Sequence, residues 1–468
     1  MPETVPIPSL FLERMSRFLG NEYPAFAESL TRTPVHGLRI NTLKLSVEQF
    51  RKITPFPLGQ AVPWCDSAFL LENEERPGKH PYHLAGLYYL QDPSAMSAAV
   101  LLDPQPGEWV LDLAAAPGGK TTHLSSLMRG HGLLVANEIK TKRLNHLVAN
   151  VERWGAANVV VTNETPERLA DHFGDAFDRV SVDAPCSGEG MFRKDMGARQ
   201  DWSVQMVAGC AIRQTNILRV AAHLVRPGGH LLYSTCTFAP EEDEGVIARF
   251  LQEHPDFEVE PLPQLPGFMP GKPEWLEGTI GNDEQQDDLS KAVRLFPHLL
   301  TGEGHFACRL QRWPAKPDDR ADPWRHPKIP VPLLRTWQTF CKGNLAVDFP
   351  PDRFLLQGDR LYLVPESVPE MKGLRVAVPG VCLGNFKKDR FEPAHPLALI
   401  LHTEQVHNIL DLPSAGREIA AYLRGENLPS EGRPGWTMVT VDGWPLGWGK
   451  RVQGLLKNHY PKGWQTYT

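Results

Sequence analysis

Trp109-Val110-Leu111-Asp112-Leu113-Ala114-Ala115-Ala116-Pro117-Gly118-Gly119-Lys120-Thr121 decides how this chain folds. Large apolar residues end in an acid, pass through small side chains and two glycines, and open onto a predicted helix from Lys120 to about residue 129. A buried strand running through a tight turn into a helix is the first unit of an open α/β sheet. The small side chains let a ligand approach the backbone, and the helix start offers unpaired N–H groups to an anion. A Walker A loop needs glycine five positions before Gly119-Lys120-Thr121, where Ala114 stands, and the dinucleotide GxGxxG is absent. Two readings remain. One is a strand-to-helix turn with no ligand. The other is a loop, here Ala114 to Lys120, that cradles the methionine carboxylate of S-adenosylmethionine.

Alternation continues outward from this segment. Strands are predicted at 133–137, 159–161, 177–182 and 230–234, with helices at 141–154 and about 204–224. That spacing predicts a doubly wound parallel sheet of order 3-2-1-4-5 with helices on both faces. Glu138 ends the second strand, where an acid accepts hydrogen bonds from both ribose hydroxyls of a nucleoside or, taken alone, is a solvated helix cap. Asp183-Ala184-Pro185-Cys186-Ser187-Gly188-Glu189-Gly190 ends the fourth strand and Tyr233-Ser234-Thr235-Cys236-Thr237 the fifth. Neighbouring strands lie about 4.8 Å apart, so Asp183, Cys186 and Cys236 gather beside the first loop at the carboxyl edge.

Two thiols at such an edge have a specific use. C5 of a pyrimidine is a poor nucleophile toward a methyl sulfonium, but a thiolate added at C6 turns C5 into an enamine carbon that attacks the methyl group. The C5 proton must then leave and the thiol be eliminated, which a second thiol or another base assists. A carboxyl facing N3 and the exocyclic amine of cytosine favours the charge that develops. The attacking thiol needs a lowered pKa, for which Arg193 and Lys194 are candidate cationic neighbours. Methyltransferases of exocyclic amines carry an Asn/Asp-Pro-Pro-aromatic loop in the slot that reads Asp183-Ala184-Pro185-Cys186 here, which disfavours that chemistry.

Composition bounds the rest. The chain has 468 residues, 41% hydrophobic and 22% charged, with a net charge of −6. About three domains are expected at about 150 residues each. No apolar run approaches the roughly 18 residues of a membrane span, and Met1-Pro2-Glu3-Thr4 lacks a signal peptide's basic and apolar regions. The seven dispersed cysteines show neither CxxC nor zinc spacing, so reduced thiols in a cytoplasm are expected, and no metal site. Residues 371–468 carry +4, leaving −10 on the rest, and a basic module on an acidic body hints at a polyanionic partner. We expect an N-terminal region at 1–94, in which Arg39, Asn41 and Lys44 mark a strand's outward face. The alternating domain covers 95–312, with a Pro- and acid-rich surface excursion at 255–300. A linker with a small subdomain follows at 313–375, and a β-rich basic domain at 376–468. Lys387, Lys388 and Arg390, with Phe386, Trp448, Tyr460 and Trp464, combine phosphate-neutralising charges with stacking platforms.

Several segments resemble the Sun-type family of RNA cytosine-5 methyltransferases, within it the bacterial branch that methylates small-subunit ribosomal RNA. They are Gly37 to Lys44, Gln91 to Met96, Ala114 to Thr121, Asp183 to Gly190, Ser234 to Thr237 and Gly304-His305-Phe306. The resemblance implies a Rossmann-like S-adenosylmethionine methyltransferase domain, preceded by an α+β RNA-recognition region and followed by a PUA-like RNA-binding domain. It also implies Cys236 as the nucleophile, Cys186 in product release, and cofactor contacts from Ala114, Ala115, Ala116, Pro117, Gly118, Gly119, Lys120, Glu138 and Asp183. Where the family places an adenine-contacting Asp, this sequence reads Thr162-Asn163-Glu164-Thr165. Thr165 aligns with that Asp, and Asn163 is the other candidate. The expected activity is methylation of C5 of a cytidine in the decoding region of 16S rRNA, in the 30S subunit or free rRNA. A transfer RNA substrate and a non-catalytic assembly factor are the alternatives.

Overall fold

The computed structural model describes residues 5–71, 77–276, 283–314 and 327–465. Its centre runs Trp109–Asp112 (β1), Gly119–Leu127 (α1), Leu133–Asn137 (β2), Thr141–Trp154 (α2), Val159–Thr162 (β3), Pro166–Phe173 (α3), Phe177–Asp183 (β4), Val204–Ala222 (α4), Val225–Thr235 (β5), Glu244–Glu253 (α5) and His305–Arg312 (β6). Strands β1 to β5 are parallel in the order β3-β2-β1-β4-β5. β6 lies antiparallel against β5, with Ala307 opposite Ser234. Parallel strands covered on both faces read as continuous apolar runs, which is why β2 and β3 are buried at every residue. Leu111, Leu133, Val135, Val160 and Val180 pack on one face against Leu169 of α3, Leu218 of α4 and Ile247 of α5. Val110, Leu134, Ala136 and Val161 pack on the other against Leu124 of α1 and Leu147 and Val151 of α2. Among the described residues no helix is long and apolar enough to cross a membrane.

The described part of segment 255–300 is not a surface excursion. Phe257–Glu260 pairs with β6, and Val293–Leu295 with Phe268–Pro270 continues the sheet beyond it. Phe257, Val259, Val293 and Leu295 are buried, and Glu258, between the first two, points outward. The opposite edge is extended too: Val376–Val378 (β7) runs antiparallel to β3.

The N-terminal region forms an antiparallel sheet from Leu58–Val62, Cys65–Leu71, Gly37–Ile40 and Tyr88–Gln91. Its predicted outward face does not meet solvent. Arg39 and Asn41 are fully buried. Arg39 donates to the Gly119 carbonyl (3.0 Å) and the Thr122 hydroxyl (2.8 Å) of α1, its guanidinium 4.7 Å from the Trp154 ring centre. Asn41 donates to the Trp154 carbonyl (2.8 Å) and Lys44 to that of Arg153 (3.1 Å), satisfying carbonyls left open at the end of α2. Burial, followed by Arg153, lowers the Lys44 pKa to about 7. The three polar residues are docking groups that join this sheet to the central domain.

After residue 326 the chain forms helix Val331–Asn344 and then a sheet of order Phe354–Gln357, Arg360–Leu363, Val381–Lys387, Arg390–Pro393. The boundary expected at 375/376 falls inside this sheet, because Arg360–Leu363 pairs with Val381–Lys387. The expected linker lies largely outside the described residues. A last sheet holds Ile409–Leu412, Gly435–Val441, Trp444–Val452, Leu455–Asn458 and Leu428–Pro429. The aromatic residues read as stacking platforms are mostly core: Phe386, Trp448 and Tyr460 are buried, the Trp448 indole N–H donating to the Ala394 carbonyl (3.0 Å). Trp464 packs edge-on against His395. Lys387 pairs with Asp359 and Arg390 with Glu392, while Lys388 is exposed.

Candidate active site

A cleft of about 990 Å³ opens along the carboxyl edge of β1, β2, β4 and β5. Ala114, Glu138, Thr165, Asp183, Cys186 and Cys236 all line it. The remainder of the first loop sits behind. Ala115 donates its N–H to Asn137 (2.8 Å), the Ala116 carbonyl accepts from Arg143, and the Pro117 carbonyl accepts from Asn150 (2.7 Å). Gly118 has φ +111°, a left-handed conformation that suits glycine, and a Cβ there would come within 3.2–3.3 Å of Asn150 and Leu147. Ala115 to Gly119 shape the backbone behind the cleft wall, and Lys120 reaches the cleft through its bond to Asp183.

Glu138 is buried. One carboxylate oxygen accepts the Lys140 N–H (2.8 Å), and the other has no hydrogen-bond partner, with Arg143 3.5 Å away. A buried carboxylate oxygen lacking a donor at the rim of a cleft fits a diol such as ribose. Of the three residues after β3, only Thr165 lines the cleft, where it also caps α3. Asn163 is turned back to the Glu138 and Ile139 carbonyls, and Glu164 pairs with Arg375 and Arg168. Replacing Glu138 by Gln should weaken S-adenosylmethionine binding roughly tenfold, about 1.4 kcal/mol, with no change in the melting temperature of the free protein. Isothermal titration calorimetry reads the first and a thermal melt the second.

The thiols are neighbours. Cys186 Sγ lies 3.2 Å from Cys236 Sγ, and the Cys236 N–H points at Cys186 Sγ (3.4 Å). Both side chains are half-buried. The hydrogen bond to Cys236, burial, and the charges of Cys236 and Glu242 hold the Cys186 pKa well above the usual thiol range, so Cys186 keeps its proton. Asp183 accepts from Lys120 Nζ (2.7 Å) on one oxygen and from Ser234 (3.3 Å) on the other. Burial opposes the Lys120 charge, yet Asp183 and then Cys236 raise its pKa above the ordinary value. The cation beside the thiols is thus Lys120. Arg193 and Lys194 point elsewhere: Arg193 to Glu303 (2.9 Å), Lys194 to Asp92 (2.5 Å) and Glu303 (3.5 Å). Their closeness to Cys186 in sequence does not survive the turn at Glu189–Met191.

The backbone holds the two thiol loops together. Gly190 donates to the Cys236 carbonyl (2.9 Å) and accepts from Gly304 (3.2 Å). A Cβ on Gly190 would lie 2.4 Å from the Gly304 oxygen, so this three-way crossing excludes larger residues. Sequence reading missed two supports. A buried arginine, Arg294, pairs with Glu244 and Asp243 beneath Thr235, and a buried carboxylate, Glu242, sits under both cysteine loops. The acidic run Glu241-Glu242-Asp243-Glu244 was the available signal.

Strand order, the acid after β2 and the cleft over the first loop define a Rossmann-type S-adenosylmethionine-dependent methyltransferase. Comparison with known proteins narrows the class. The family model for 16S rRNA methyltransferase RsmB/F matches residues 99–311, and that for the N-terminal domain of 16S rRNA methyltransferase RsmF matches 7–93. The RsmF first C-terminal domain matches 339–401 and the RsmF PUA domain 410–466. Ribosomal RNA small subunit methyltransferase F of Aeromonas salmonicida (strain A449) is 31% identical over 459 residues, 93% of this chain and 92% of the relative. The protein of the same name from Escherichia fergusonii is 32% identical over 482 residues, covering 98% and 96%. A crystal structure of a methyltransferase homolog protein from Pyrococcus horikoshii superposes with TM-score 0.58 at 30% identity, covering 67% of this chain and 100% of that one. The chain belongs to the RsmB/F family of 16S rRNA methyltransferases.

Proposed function

We propose that this protein methylates C5 of a cytidine in 16S rRNA, at the decoding region of the small subunit, in the cytoplasm. The observation that carries this reading is the pair of thiols 3.2 Å apart at the tips of β4 and β5, opening on the cleft that Glu138 also lines. S-adenosylmethionine, when bound, supplies the methyl group; Ala114, Glu138 and Thr165 would hold it, over the backbone shaped by residues 115–120. The target base reaches the thiols only after leaving its stack.

Cys236 is the nucleophile: its thiolate adds to C6, and the C5=C6 electron pair becomes available at C5 for the methyl carbon. Asp183, fixed by Lys120 and Ser234, faces the base edge on which charge develops. Release needs the C5 proton to pass to a solvent water in the cleft and its electron pair to re-form C5=C6, while the C6–S pair returns to Cys236. Cys186, whose Sγ lies 3.2 Å from that sulfur, donates a hydrogen bond to it as it departs. No outside oxidant or reductant is involved.

The experiment is methyl transfer from labelled S-adenosylmethionine to 30S particles, free 16S rRNA and transfer RNA, with the product mapped by bisulfite sequencing. Modification of 16S rRNA, free or in the particle, is expected. Methylation of transfer RNA alone would replace this reading, and no methylation with cofactor still bound would favour an assembly role.

A further inference from the structure

Glu242 is fully buried and belongs to neither cysteine motif. One carboxylate oxygen accepts from the Ser187 hydroxyl and from Thr237 Oγ1 (3.2 Å). The other accepts the Ser187 backbone N–H (2.9 Å) and Gln214 Nε2 of α4 (2.9 Å). Ser187 and Thr237 each directly follow one of the two cysteines and lie 2.9 Å apart, hydroxyl to hydroxyl. Four donors from three elements converge on one carboxylate, which spans the two thiol-bearing loops from below.

Burial pushes Glu242 up to about 7 against the pull of these donors, Glu189 adding to the rise. The groups facing it are Cys186, Glu189, Cys210 of α4, Tyr233, which donates to its backbone carbonyl, and Asp243. An acid kept buried at such cost is not there to fill space; an apolar side chain would leave these four donors unpaired. What an apolar side chain cannot do is hold two loops at one separation by hydrogen bonds to both.

We infer that Glu242 is a positioning residue for product release, clamping the Cys186 loop against the Cys236 loop so that the Cys186 S–H meets the departing sulfur. This rests on the roles given to the two cysteines above. Glu242 touches no substrate atom; it acts through Ser187 and Thr237. With the clamp loosened, Cys236 can still add to C6 and the methyl can still transfer, but the adduct waits for a proton donor that is out of place.

Glu242→Gln keeps the shape and turns one acceptor into a donor facing donors. The expected result is a fall in kcat of tenfold or more, KM for S-adenosylmethionine and for RNA within twofold of the unaltered protein, and a protein–RNA adduct that persists on a denaturing gel. Should Glu242→Gln fail to fold by thermal melt, the Ser187→Ala, Thr237→Val double substitution removes two of the four donors and should show the same adduct at smaller amplitude. Normal turnover in a folded variant overturns the inference, as does lost turnover without adduct. Cys186→Ala in the same gel separates the two claims: if it traps no RNA, the cysteine roles themselves are wrong, whereas a trap there and none with Glu242→Gln sinks the clamp alone.

Discussion

Cys186→Ala is expected to accumulate a covalent protein–RNA complex and to lose multiple turnover by about 10²-fold or more, while Cys236→Ala should form no complex and transfer no methyl group. The asymmetry follows from the bond each sulfur is proposed to serve. Without Cys236 nothing adds to C6, and C5 stays too weak a nucleophile for the sulfonium methyl. Without Cys186, addition and transfer should still proceed, but the departing sulfur would lack the donor proposed for it 3.2 Å away. This assignment rests on the resemblance of the Pro185-Cys186 and Thr235-Cys236 segments to the family, and the two substitutions test it. A gel under denaturing, non-reducing and reducing conditions reads the result, since a thioether adduct resists reductant. If Cys236→Ala traps RNA and Cys186→Ala is inert, the assignment is inverted.

The second large effect is on stability. Arg294 is 1% exposed and answers two carboxylates that are fully buried, Glu244 (Nε to Oε1, 2.8 Å) and Asp243 (3.2 Å), while donating to the Phe238 carbonyl (3.0 Å). Its guanidinium also lies 4.8 Å from the Trp275 ring centre. Arg294→Met leaves two acids without a cation in a layer that cannot solvate them, a loss of about 3–5 kcal/mol. The melting temperature should fall on the order of 10 °C. Asp243 accepts from Thr235 (2.6 Å), next to Cys236, so activity should fail at lower temperature than unfolding of the rest. The triple substitution Arg294→Met, Glu244→Gln, Asp243→Asn should recover most of the lost stability, because the penalty comes from unpaired charge. A single substitution as mild as 1 kcal/mol, or a triple no better than the single, would show that the arginine acts by packing alone.

The central sheet was legible because parallel strands covered on both faces must be apolar along their length. β2 occupies residues 133–137 and α2 residues 141–154, the ranges their apolar patterns mark. β5 begins at Val225, five residues before its apolar core, because Arg226-Pro227-Gly228-Gly229 belongs to the strand without being hydrophobic. The strands between 257 and 295 were not legible: each spans three or four residues, shorter than one period of reliable alternation, and prolines and acids separate them. Around the thiols, Asp183, Cys186 and Cys236 could be placed together from strand order alone. Thr165 could not be separated from Asn163, since only the turn into α3 decides which side chain meets the cleft.

Local rules act over a few residues, and wherever they sufficed, composition and spacing already determined the outcome: strand, turn, helix, and the residue types at the sheet's carboxyl edge. Partner choice is a long-range matter, and there only the folded chain decided. Arg39, Asn41 and Lys44 interrupt apolar positions as a strand's outward face would, yet they meet helix carbonyls instead of water, because another domain covers them. Arg193 and Lys194 lie within eight residues of Cys186 but pair with Glu303 and Asp92, about a hundred residues away along the chain, while Lys120 supplies the cation. Aromatic rings near basic residues proved to be the core of a small domain, since rings go inside wherever a core can take them. Side-chain type sets what a residue can bond to, and tertiary packing sets which partner is within reach.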